Sequence, residues 1–137
     1  MNYKLALYRL REGRDMHPRT FASLVGTTLY EHRFAPFFVT PIVIGLHEKQ
    51  TVIVSYDSIG TQSETEFFVT GGTAGNNFYS LCESYYKEGL TESELERILS
   101  NILLNGSDRD ILSGYGGVIY TLTPKQLKSS VLKTKLV

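Results

Sequence analysis

The chain reads as an α+β domain with antiparallel sheet. Three observations point there: segments with helical periodicity come in two pairs, strand-like runs come in hairpins, and the order is helix, helix, three strands, helix, helix, two strands. Paired helices and hairpin-linked strands bury their apolar faces as layers of antiparallel sheet covered by helices, whereas a parallel βαβ fold would alternate the two. With 137 residues and 42% hydrophobic composition, the chain is long enough for one globular domain with a core of its own, spanning 1–137.

Tyr3, Ala6, Leu7 and Leu10 recur at helical spacing, and Gly13 supplies the left-handed residue that closes such a helix. Pro18 suits a first helical turn; Phe21, Leu24, Val25, Thr28 and Leu29 then share one face until Arg33 and Pro36 end it. "FFVTPIVIGL", residues 37–46, is apolar on both faces, as a strand covered by two layers should be. "QTVIVSYD" follows the polar "HEK" and completes a hairpin. "ETEFFVTGG", residues 64–72, reads as a third strand, broken by Gly71 and Gly72. Phe78, Leu81, Cys82 and Tyr85 mark the third helix. Thr91 with Glu94 forms a capping-box pattern ahead of the stripe Leu95, Ile98, Leu99, Ile102 and Leu103. "GVIYTLT" and "SVLKTKLV" (130–137) close the chain as a hairpin through "PKQLK".

Fourteen basic and fourteen acidic residues cancel, so the chain lacks the cationic footprint of a nucleic-acid or anionic-membrane binder, and neither is expected as a partner. No run is apolar enough to span a bilayer, no signal-peptide pattern is visible, and the single Cys82 cannot form an internal disulfide; a reducing interior compartment is expected. Cys82 lies on an apolar helix face, the setting of an inert core thiol. His17, His32 and His47 lie fifteen residues apart, not at metal-pair spacing, and read as surface or capping residues; no metal or cofactor is expected. "VTGGTAG" follows neither phosphate-loop spacing, and a turn explains its glycines equally well.

"NGSDRDILSGYGG", residues 105–117, is the stretch that most resembles a catalytic loop. Asp110 and Ser113 are three apart and can bond to each other, and Arg109 can pair with Asp108 or an outside partner. No histidine or lysine lies close in sequence to complete a serine relay, so a hydrogen-bonded loop anchoring a strand explains the residues equally well.

The succession "LYRLREGRDMHPRTFASLVGTTLYEHRFAPFFVTPIVIGL", "SYDSIG", "CESYY" and "LLNGSDRDILSGYGGVIYTL" resembles the proteasome beta subunits, most closely the eukaryotic type-3 group, over essentially the whole chain. The resemblance implies an N-terminal-nucleophile hydrolase fold: a four-layer αββα sandwich built into seven-membered rings. It also implies that the family's opening strands lie before Met1, so the sandwich here is expected to be incomplete. Active members attack the peptide carbonyl with an N-terminal threonine carried on those strands. Asp110 and Ser113 match the residues that support this nucleophile, and Thr73 matches another such position. For a type-3 subunit the resemblance implies no activity, so no catalytic residue is expected and these three are vestigial support positions. "VGTT", residues 25–28, is similar to a Gly-Thr-Thr processing site but falls inside a helix.

Asp57 matches the aspartate through which a type-3 subunit lines the substrate pocket of the adjacent trypsin-like subunit, with Thr61 beside it; residue chemistry alone makes Asp57 a turn residue. The resemblance thus implies a structural β-ring subunit of the core particle, acting in ATP- and ubiquitin-dependent proteolysis in cytoplasm and nucleus. Its partners would be the other alpha and beta subunits. Two alternatives stand beside it: a fragment of a catalytic threonine protease, and a free-standing interaction domain with no ring role.

Overall fold

In the computed structural model, which describes residues 1–133, nine elements follow one another in the expected order. They are α1 (Asn2–Glu12), α2 (Pro18–Glu31), β1 (Ile42–His47), β2 (Gln50–Tyr56), β3 (Gln62–Thr65), α3 (Gly75–Tyr85), α4 (Glu92–Ser107), β4 (Gly117–Leu122) and β5 (Leu127–Leu132). The chain forms two compact units, Met1–Val69 and Thr70–Val137.

In the first unit, Gly13 ends α1 in the left-handed conformation (φ 66°), its N–H donating to the Arg9 carbonyl. Pro18 occupies the first turn of α2, and the His17 ring nitrogen Nδ1 accepts from the Arg19 amide at 3.2 Å, so this histidine is a cap, as expected. Antiparallel β1-β2-β3 follows, with Val43 opposite Val54 and Gly45 opposite Val52. Glu48 and Lys49 turn the first hairpin with φ of 46° and 70°, the primed turn that matches strand twist. Ala22, Val25 and Leu29 of α2 pack on Val43, Val52, Val54 and Tyr56 to form the core. Complete burial of a valine or leucine side chain contributes roughly 1.5–3 kcal/mol.

Two strand expectations are corrected here. The segment 37–46 was expected as a strand buried on both faces; only Ile42–His47 pairs, Val43 is buried, and Ile44 is 60% exposed, because α2 covers one face alone. Phe38 has φ 52°, outside the strand region, which prevents pairing from continuing upstream. The third strand is Gln62–Thr65 rather than 64–72: its pairing with β2 stops at Thr65, opposite Ile53, and residues 66–70 run on without strand structure.

In the second unit, α3 packs on α4, and α4 on the β4–β5 hairpin. The capping box is present: the Thr91 hydroxyl accepts from the Glu94 amide, while the Glu94 carboxylate accepts from the Thr91 amide at 2.9 Å. Gly106 is buried at the helix crossing, where an added Cβ would enter the Phe78 ring. β5 begins at Leu127, earlier than expected, because Thr123 and Gln126 close the turn; the expected strand residues 134–137 lie outside the described residues. Cys82 is buried, and burial raises its thiol pKa, as suits a core cysteine. No helix among the described residues is long and apolar enough to cross a membrane.

Candidate functional site

Thr73 and Asp110 are separated by 37 residues, yet their side chains meet. Gly72 (φ 84°) turns the chain into α3, and its carbonyl accepts from the Gly75 amide, placing Thr73 on the turn's outer side. On the other flank, "NGSDRDILSGYGG" is not all loop: Asn105, Gly106 and Ser107 are the last turn of α4, and the chain then folds back with the Asp110 amide donating to the Ser107 carbonyl. Gly114 (φ 120°) passes so near Ser107 that a Cβ there would lie 3.2 Å from its carbonyl oxygen.

These turns converge on the Asp110 carboxylate. Its Oδ2 accepts from the Thr73 hydroxyl at 2.5 Å and the Ser113 hydroxyl at 2.6 Å, and its Oδ1 accepts from the Leu112 amide at 3.2 Å. The hydrogen bonds from Ser113, Thr73 and Leu112 hold the carboxyl below its ordinary pKa. A carboxylate stabilised in this way is a weak base, and both hydroxyls spend their protons on it. No lysine or histidine hydrogen-bonds to any of the three among the described residues, and the three bonds tie the turn before α3 to the chain that follows α4. Arg109 forms no ion pair with Asp108 or any other described residue. Among the described residues no three metal-ligating side chains converge.

Asp57 and Thr61 lie in the first unit, in the turn between β2 and β3. Asp57 Oδ1 accepts from the Thr61 amide at 2.8 Å and the Ile59 amide at 3.1 Å, while the Asp57 amide donates to the Thr61 carbonyl at 3.2 Å. These bonds, led by those from Thr61, lower the carboxyl pKa, and Asp57 remains exposed with no cation paired to it among the described residues. The turn role expected from its chemistry is present in full. "VGTT" lies within α2 as expected, with the Thr28 hydroxyl donating to the Leu24 carbonyl and accepting from Lys4.

Two contacts were not legible in the sequence. The Tyr56 hydroxyl donates to the Ala22 carbonyl at 2.6 Å, and the His17 and His47 rings meet edge-on at 4.4 Å. Both join residues at least 30 positions apart through packing, which no local spacing announces.

Residues 1–122 match the proteasome subunit family. The chain belongs to that family. Family membership and the mixed antiparallel elements establish the expected α+β, N-terminal-nucleophile hydrolase-like fold class, with a partial set of strands. Among its relatives are proteasome subunit beta type-3-B of Arabidopsis thaliana, 44% identical over 135 residues, and proteasome subunit beta type-3 of Saccharomyces cerevisiae, 40% identical over 135 residues. The Drosophila melanogaster proteasome subunit beta type-3 is 34% identical over 136 residues. These matches cover 97–98% of this chain and 66% of each relative, so the chain spans slightly less than two-thirds of the length of these proteasome subunits.

Proposed function

We propose that this chain is a non-catalytic, structural subunit of the β ring of the proteasome core particle, working in ATP- and ubiquitin-dependent protein degradation in cytoplasm and nucleus. The observation that carries the reading is the likeness to beta type-3 subunits across 98% of the chain. Its partners are the alpha and beta subunits, and Asp57, with Thr61, lines the substrate pocket of the adjacent trypsin-like subunit.

Exposed apolar side chains support the structural part of this reading. Phe34 and Phe38 in the first unit, and Ile111 and Tyr115 in the second, are each at least 90% exposed. Large apolar groups so placed are surfaces that association buries.

Co-expression of the tagged chain with the other core-particle subunits, followed by native mass spectrometry, tests the assignment. Stoichiometric recovery with alpha and beta subunits is expected. Recovery only as a free monomer would favour a separate interaction domain. Treating the particles with an electrophile that esterifies catalytic threonines should leave the mass of this chain unchanged; an added mass on it would favour the threonine-protease reading.

A further inference from the structure

We infer that α2 sets the position of the Asp57 carboxylate, with Tyr56, Gly26 and Gly60 as its positioning residues, and thereby tunes a neighbouring subunit's preference for basic side chains. The inference deepens the reading of Asp57 as part of that neighbour's substrate pocket and rests on it. Residues 57–61 form a closed plate, their backbone bonded across by Asp57 N to Thr61 O and Gly60 N to Asp57 O, with the carboxylate tied to two amides inside it. A plate this rigid moves as a body, so whatever seats it sets where its charge lies.

Two seats are visible, one helical turn apart on α2. Tyr56, 5% exposed and adjacent to Asp57, donates its hydroxyl to the Ala22 carbonyl at 2.6 Å. Gly60 lies against the Gly26 backbone so closely that a methyl group on it would run into the Gly26 carbonyl oxygen, and its φ of 92° already requires glycine. The outcome is an exposed, ionised carboxylate held without a countercharge, which is what an incoming lysine or arginine side chain needs. Coulomb's law at an effective dielectric of about 20 makes a retreat from about 4 to about 5 Å worth roughly fourfold in binding.

The test uses assembled core particles carrying variants of this chain and peptides with arginine at the cleaved position. Tyr56→Phe keeps the packed ring and the Gly26–Gly60 contact and removes only the hydroxyl seat on Ala22. It should raise KM about three- to fivefold with kcat nearly unchanged, since a pure binding contact is weakened. Peptides cleaved after leucine or glutamate should be unaffected. Asp57→Asn should raise KM further, and Tyr56→Phe with Asp57→Asn should match Asp57→Asn alone, because the tyrosine acts through the carboxylate. If Tyr56→Phe does not enter particles, Gly26→Ala carries the same measurement: its methyl would run into the flexible Gln62 amide of β3 first and stand 3.3 Å from the Gly60 carbonyl, crowding the second seat.

Wild-type KM in the incorporated positioning variant, or effects that multiply in the double variant, would overturn the positioning role while leaving the pocket reading intact. Wild-type KM in Asp57→Asn would overturn the pocket reading, and this inference with it. A wild-type chain never recovered in particles would overturn both together with the ring assignment.

Discussion

Gly106→Ala should destabilise the second unit, against the ordinary trend for helices. In an exposed helix interior, replacing glycine with alanine stabilises by about 1 kcal/mol. At Gly106 the new methyl would overlap Cδ1 and Cε1 of Phe78 and stand 3.4 Å from Leu81 Cδ1. Forcing a methyl into packed surroundings costs about 1–3 kcal/mol, so the net effect is a loss of roughly 0–2 kcal/mol, centred near 1. With a urea slope of about 1 kcal/mol/M for a small unit, the unfolding midpoint should fall by about 1 M. Pulse proteolysis in graded urea, at submicromolar concentration to suppress association, measures it. The decisive comparison is made in a Phe78→Leu background, where the ring is gone and the same alanine should raise the midpoint. A midpoint that rises in the native background would refute the packing argument, as would identical shifts in both backgrounds.

Thr91→Ala removes the hydroxyl that accepts from the Glu94 amide and donates to the Glu94 carboxylate, leaving the Thr91 amide bonded to that carboxylate, and should cost about 1 kcal/mol in the same assay. Because the folded pKa of Asp110 is depressed, its contribution to stability is present above the ordinary carboxylate range near pH 4. It is lost as pH falls through the folded value. Exchange of the Leu112 amide, whose acceptor is Asp110 Oδ1, should therefore lose protection below about pH 4 relative to an Asp110→Asn chain, after correction for intrinsic rates. Cys82 should react with iodoacetamide far more slowly in the folded chain than in urea, since burial both covers the thiol and raises its pKa; equal rates would place the thiol outside the core.

Where local chemistry decides, the sequence was legible. Gly13, Pro18, Thr91 with Glu94, and Gly72 act within one turn of themselves, so helix ends and the turn into α3 can be read from neighbours a few positions away. The α2 face was legible for the same reason, although Ala22 and Gly26 were not singled out on it; small residues carry little hydrophobic signal even where they permit the closest packing. Asp57 could be read as a turn residue because its acceptor serves amides two and four positions on.

The strands were less legible, since composition records what a segment can bury and not what covers it. "FFVTPIVIGL" has the apolar content for two covered faces, but only partner strands and the layer of α2 determine that pairing begins at Ile42 and that Ile44 faces outward. By itself, the sequence determined the element order, the caps, the antiparallel class and the motifs by which the family can be recognised. Tertiary structure alone decided that Thr73 and Ser113 share one oxygen of Asp110, and that Tyr56 reaches back 34 residues to Ala22. Propensities and caps act over a few residues of chain, whereas a hydrogen bond between distant side chains exists only once packing has brought its two ends within 3 Å.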